Sequence, residues 1–221
     1  TLYSLWDIGL KVGHATRSID ETLYLANQDL TIRTSLLDSR WLWGNKALFD
    51  ELMKRFQEEL IARSGHKFVE GKLAERDDRH RRLGDTRYVL EPNLKDGKGG
   101  LRDLQTLFWI GKYLYQASNA QDLKNAGILT SADEKSFSKA ENFLWTVRCH
   151  LHYLAGRSEE RLTFNVQEEL GERMGYKARA GSRGVERFMK HYFLTAKDIG
   201  DLTRILCAVL EEQQKKRSSP T

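Results

Sequence analysis

Three glycines fall at positions 97, 99 and 100 of the stretch EPNLKDGKGGLRD (residues 91–103), and Lys95, Lys98 and Arg102 surround them. A glycine turn running into a helix near Leu101 can aim backbone N–H groups at an anion, and the helix dipole adds to the attraction. Arg102 can grip a phosphate through two donors. No Gly-Lys-Ser/Thr follows, so this is not a Walker loop. The spacing fits a flexible connector with solvated lysines as well, and by spacing alone that plainer reading is the commoner.

Asp7, in LWDIGL, is the second residue with chemistry to offer. On a strand beside Gly9, a carboxylate can hold a Mg²⁺ ion that bridges phosphates. One carboxylate does not make a metal site, and pairing with Lys11 or Arg17 explains the residue equally well. Other combinations carry less. His150 and His152 are two apart on a helix and point to different faces, so they do not chelate one metal. His14 reads as a packing or hydrogen-bonding residue, with a catalytic role the rarer alternative. Gly181-Ser182-Arg183-Gly184 looks like a phosphate loop, but no Asp-x-Asp follows it. Trp41, Trp43, Trp109 and Trp145 read as core or domain-packing aromatics.

The elements that position these residues follow from periodicity. Leu2, Ser4, Trp6, Ile8, Leu10 and Val12 alternate with Tyr3, Leu5, Asp7, Gly9 and Lys11, which predicts a strand over 2–12. Ser18 and Glu21 form a capping box for a helix carrying Ile19, Leu23, Ala26 and Leu30. Leu48, Leu52, Phe56 and Leu60 mark a second helix that ends near Ser64-Gly65, and a highly charged third follows from Phe68 to Leu83. Arg87–Glu91 is β-prone and Pro92 ends it. Further helices carry Leu101, Leu104, Phe108 and Tyr115; then Phe137, Ala140, Leu144, Val147, Leu151 and Leu154 behind a Thr130 or Ser131 cap; and finally Val185, Phe188, Tyr192, Ile199, Leu202, Leu206 and Val209. The strict 3-4 spacing of the last two predicts bundle seams. The expected fold is mainly α, a helical bundle with a small β portion.

The chain has 221 residues, 30% of them charged, with a net charge of +5. No apolar run approaches the about 20 residues that span a membrane. The basic residues are interleaved with acids, as in AERDDRHRRLGD, which reads as a solvated helix face and argues against nucleic acid as a partner. Two distant cysteines, Cys149 and Cys207, fit buried thiols in a reducing, cytoplasmic setting. Residues 213–221 are expected to be a disordered basic tail.

The segments LWDIGLKVGHATRSIDE, QDLTIRTSLLDSR, YVLEPNLKDGKGGLRDLQTLFWI, FLWTVRCHLHYLAGRSEERLTFNVQEELGERMGY and VERFMKHYF together resemble the PII-protein uridylyltransferase/uridylyl-removing family. The resemblance covers nearly the whole chain, and LEPNLKDGKGGLRDLQT is its most specific part. A weaker pattern of the same kind occurs in glutamine synthetase adenylyltransferases. The resemblance implies a nucleotidyltransferase-type α/β domain joined to a helical domain, and transfer of UMP from UTP to a tyrosine of the PII nitrogen-regulatory protein. It implies two Mg²⁺ ions held by three carboxylates, with Asp7 at the third position as catalytic and metal-binding residue. On that footing the expected roles are that Lys95, Lys98 and Arg102, with Gly99 and Gly100, face the triphosphate, that Glu91 supports the sheet or a cation, and that Asp103 caps or holds Arg102; the resemblance implies the motif, and the duty of each residue is an expectation built on it. The family's Gly-Ser turn with Asp-x-Asp, its His-Asp phosphohydrolase motif and its glutamine-sensing modules do not occur in these residues. The expectation is therefore a central piece: residues 1–45 ending the transferase domain, residues 46–212 forming the helical domain, and 87–100 lending the nucleotide site an edge strand and a glycine loop. Such a piece is expected to be inactive alone. The alternative is a non-catalytic helical module that docks PII or neighbouring domains.

Overall fold

The computed structural model describes residues 2–218, with side chains as far as residue 209. It divides into two compact units, Thr1–Ser64 and Gly65–Thr221, so residues 46–64 belong with the first. The expected bundle is present, and the expected β portion is not. Among the described residues the only β pairing is two isolated bridges, Asn93 with Arg161 and Arg179 with Ser182.

The first unit opens with α1 (Leu2–Asp7), where a strand was expected. A strand must find partners for its N–H and C=O groups on a neighbour, and no strand lies among the described residues; a helix satisfies them within the segment. Period-two alternation over so short a run does not decide between the two. The turn after α1 is fixed locally, because the Trp6 indole N–H donates to the Val12 carbonyl at 3.0 Å. The Trp6 ring meets those of Tyr3 and His14 edge-on, so His14 is a packing residue here.

Ser18 caps α2 (Ile19–Gln28) as expected, accepting the Glu21 N–H at 3.1 Å. The helix then stops at Asp29, whose carboxylate accepts the N–H groups of Thr31 and Ile32 and starts α3 (Leu30–Leu37). Buried Arg33 ties the two together. Its guanidinium donates to the carbonyls of Ala26 at 2.7 Å and Asn27 at 2.8 Å. The chain turns at Gly44, and Asn45 caps α4 (Lys46–Arg55). A π-helical turn, Phe56–Ile61, continues from α4 and buries Phe56 and Leu60.

In α5 (Ala62–Arg82), Ser64 leaves helical geometry at φ −133° and ψ 23°, where the sequence predicts a break. The second unit packs α6 (Leu101–Tyr115), α8 (Ser131–Ala155) and α9 (Phe164–Arg173) against α10 (Gly184–Ser218), with the short α7 (Ala120–Asn125) beside α6 and α8. The predicted seams are buried: Phe137, Ala140, Leu144, Val147 and Leu151 on α8, and Phe188, Tyr192, Ile199, Leu202 and Leu206 on α10. Phe68 stacks on Tyr113 with ring centroids 3.9 Å apart. Thr130 forms a complete capping box with Asp133 at the start of α8.

Three expectations need correcting. Cys149 is exposed, because it sits off the Leu144–Val147–Leu151 seam; Cys207 is half-buried. Trp43 is 92% exposed, and Trp41 and Trp145 are also open to solvent, so these are not core aromatics. The expected disordered tail is helical backbone as far as Ser218, and residues 219–221 lie outside the described residues. No described helix is long and apolar enough to cross a membrane.

Candidate functional site

The stretch 91–103 is held from outside and from within. The Glu91 carboxylate accepts the N–H of Phe164, the first residue of α9, at 2.8 Å; it supports a helix start, and no sheet is present for it to support among the described residues. Leu94 N–H donates to Glu160 O at 2.7 Å, and Leu162 N–H donates to Pro92 O at 2.9 Å. These bonds fasten residues 92–94 to 160–162 without building a strand, which replaces the expected edge strand. Pro92 lacks an N–H and cannot extend a ladder in its own right.

Inside the loop, Asn93 Oδ1 accepts the N–H groups of Lys95 and Asp96 at 3.0 and 2.7 Å. Gly97 N–H returns to Asn93 O, Gly100 N–H to Gly97 O, Leu101 N–H to Leu94 O, and Arg102 N–H to Lys95 O. Gly99 N–H donates to the Asp103 carboxylate at 2.8 Å. The backbone donors expected to face an anion are thus turned inward, and the first turn of α6 is already satisfied. The glycines serve close packing. Gly99 has φ +80°, and a Cβ there would lie 2.5 Å from the Ala196 carbonyl oxygen on α10. A Cβ at Gly100 would lie 2.7 Å from Leu94 O.

Asp103 caps the start of α6 by accepting the Gly99 N–H, and it does not hold Arg102. It is 4% exposed, accepts from Arg79 and meets His80 Nε2 at 2.9 and 3.0 Å through its two oxygens. Arg102 instead reaches Gln105 Oε1 at 2.8 Å and Asp96 at 3.5 Å. Burial pushes the Asp103 carboxyl up, but the His80 hydrogen bond and charge, the Gly99 N–H and Arg79 outweigh it and hold the carboxyl below the usual aspartate range. Tyr192 is buried alongside, and burial first, then the Asp103 charge, pushes its hydroxyl well up.

Sequence reading missed Arg79, His80 and the inward turn of Asp103. The signal lay in the run taken for a solvated face. Phe68, Val69, Lys72 and His80 are the buried residues of α5, and Arg76 falls between the last two at the same fourfold spacing. The stripe is helical in period but carries charged side chains where apolar ones are expected.

Lys98 and Gly99 line a cleft of about 550 Å³ together with Arg76, Arg81, Arg87 and Arg204. Lys98 is paired there with Asp85 at 2.7 Å. Lys95, Gly100 and Arg102 do not line it. Lys95 forms no ion pair among the described residues. Asp7 lies in the other unit, exposed at the C-terminal end of α1, so the strand that motivated its catalytic reading is absent. Among the described residues no group of three or more His, Cys, Asp or Glu side chains is placed to hold a metal ion. The residues present therefore do not make a Mg²⁺ site by themselves.

A family model described as GlnD PII-uridylyltransferase matches residues 67–207, which include the whole loop and cleft. The chain is 62% identical over 215 residues to a bifunctional uridylyltransferase/uridylyl-removing enzyme of Azospirillum brasilense, covering 97% of this chain and 23% of that protein. It is also 62% identical over 216 residues to the protein of the same name in Rhodospirillum rubrum, again covering 23% of it. No solved structure matches. The chain spans about a quarter of the length of these curated relatives, and it belongs to the GlnD PII-uridylyltransferase family.

Proposed function

We propose that this chain is part of a bifunctional enzyme that transfers UMP from UTP to a tyrosine of PII and also removes it. One observation carries the reading: identity of 62% across 97% of the chain to proteins of that name. The chain supplies the helical unit, and the transferase chemistry resides largely in residues outside it. The parent is proposed to act in the cytoplasm.

Within that enzyme, Lys95, Lys98 and Arg102 are proposed to present positive charge to the nucleotide. Their side chains, not the loop backbone, would do so, since the N–H groups are engaged internally. Asp7 is proposed as one carboxylate of a Mg²⁺ site whose other members lie outside this chain. Its support is the resemblance of LWDIGL to the family pattern, not its place on α1. The test is UMP transfer from labelled UTP to PII. This chain alone should be inactive. A chain extended to include the Asp-x-Asp pair should be active, and Asp7→Asn in it should abolish transfer; full activity of that variant removes Asp7 from the site.

A second reading has its own observation. Trp41, Leu42 and Trp43 are 41%, 74% and 92% exposed in consecutive positions of the first unit. Apolar surface of this kind commonly marks an interface. It favours a docking role for the first unit toward PII or a neighbouring domain of the parent. Such a role is compatible with the transferase reading.

A further inference from the structure

Residues 173–190 end α9, turn, and start α10. They hold six cations, Arg173, Lys177, Arg179, Arg183, Arg187 and Lys190, against one carboxylate, Glu186. Their surplus of five positive charges equals the net charge of the whole chain, +5, so the other residues balance among themselves. Arg173 and Arg183 sit in exposed pairs, with Glu169 at 2.8 Å and Glu186 at 2.9 Å. Lys177, Arg179 and Lys190 are exposed and form no ion pair among the described residues.

The segment is fastened at several points. Arg179 and Ser182 exchange two backbone hydrogen bonds, of 3.0 and 2.9 Å, around the turn Ala180-Gly181. A Cβ on Gly184 would lie 2.4 Å from the Tyr176 carbonyl oxygen, so glycine lets the two arms of the turn close. The Arg187 guanidinium donates to the Lys177 carbonyl at 2.7 Å, and the Tyr176 hydroxyl meets His191 Nδ1. Lys177, Arg179 and Arg183 therefore stand on a pinned turn, which lowers the ordering cost of binding. The start of α10 is no anion site in itself, because Glu186 already accepts the Arg183 N–H at 3.0 Å.

We propose that this turn is a docking surface for an acidic face of another protein, one that presents clustered Asp and Glu side chains. Arginine forks pair with carboxylates through two donors, and lysine adds point charge. The surroundings select a protein over other polyanions. Exposed Glu168, Glu169 and Glu172 lie in the closing turns of α9, directly before the basic segment. They repel a polyanion that runs on past the turn, as a nucleic-acid backbone does. Between Phe164 and Leu194 no large apolar side chain is exposed, so nothing there stacks on bases or enters a bilayer. The proposal goes beyond the transferase reading and does not rest on it: binding of an acidic peptide needs no nucleotide and no transfer, so either can fail without the other.

The test titrates the 221-residue chain with a peptide of alternating Asp and Glu, following amide ¹H–¹⁵N shifts. Saturable shifts centred on Lys177, Arg179, Ser182 and Arg183 are expected, and added sodium chloride should weaken binding several-fold by screening exposed charges. Lys177→Gln, Arg179→Gln and Arg183→Gln combined should weaken it roughly tenfold, the order expected for three exposed pairs. Lys54→Gln, Lys67→Gln and Lys135→Gln combined remove as much charge from scattered exposed positions and should leave it unchanged. Circular dichroism confirms that each variant is folded; should the triple turn variant fail to fold, Arg179→Gln alone decides, with a loss of roughly two- to threefold. The proposal is overturned if no saturable shift appears, if the turn variants bind as the parent does, or if the scattered variant loses as much as they do. It is also overturned if a DNA duplex or phosphatidylserine vesicles engage the turn more tightly than the peptide, which would make the partner a nucleic acid or a membrane.

Discussion

Two glycine turns lead into long helices in the second unit, and they use the same local device to different ends. Before α6, Asp103 reaches back from the first turn and accepts the Gly99 N–H at 2.8 Å. Before α10, Glu186 reaches back and accepts the Arg183 N–H at 3.0 Å. Gly99 and Gly181 even share φ +80°. The surroundings differ. Asp103 is buried against Arg79 and His80, whereas Glu186 pairs only with exposed Arg183 and Ser182. A capping carboxylate in water is one bond among many. The same carboxylate under α10, tied to two basic side chains from α5, joins three segments of chain.

The largest expected effect breaks that joint. Asp103→Ala leaves Arg79 and His80 facing a buried gap and should cost about 3–5 kcal/mol, as for removal of one partner of a buried pair. Urea unfolding measures it. Glu186→Gln, on a fully exposed group, should leave the unfolding midpoint where it was. Equal loss in the two variants would refute the distinction between the turns.

The glycines sharpen the comparison at the next level down. Gly181→Ala meets nothing within 4 Å and carries only the left-handed strain, about 1 kcal/mol. Gly99→Ala carries the same strain and also drives a methyl to 2.5 Å from Ala196 O, so it should cost about 2–4 kcal/mol. Thermal unfolding of the pair separates backbone strain from packing. If the two alanine variants lose the same amount, α10 yields at Ala196 and close packing is not what Gly99 provides.

The same contrast explains what the sequence does and does not disclose. Periodicity located the seams of α8 and α10 and the Ser18 and Thr130 caps, because a cap and a 3-4 stripe are local properties. It failed at residues 2–12, where alternation is too short to separate strand from helix and the deciding factor is whether a partner strand exists. It placed the glycine loop correctly but gave its glycines the wrong task, since Ala196 is almost a hundred residues away in the chain and no local pattern reports it. Lys72, Arg76 and His80 have helical spacing, yet charged side chains usually mark a solvated face. His80 is buried against Asp103, an acid one loop further along, and Lys72 lies over the Trp109 ring of the same helix, so the stripe becomes legible only when both elements are read together.

The smallest effect concerns pH and isolates the charge of Asp103 from its shape. The folded carboxyl sits below its ordinary value of 3.8, so ionisation favours the fold. That contribution is complete above the unfolded value and disappears as the pH falls through the lower folded value. One proton changes stability by at most about 1.4 kcal/mol per pH unit. Asp103→Asn keeps the shape without the charge, so the stability gap between parent and variant should be constant from pH 6 down to about 4 and narrow below it. Glu186 is also held below its ordinary range, chiefly by the Arg183 N–H, but it is open to solvent. Its Gln variant should run parallel to the parent throughout, because solvent screens the pairing. Unfolding curves at several pH values read both gaps. A parent–Asn gap that stays constant below pH 4 would mean that the Arg79–His80–Asp103 joint depends on hydrogen-bond geometry and not on ionisation, and the two turns would then differ in packing alone.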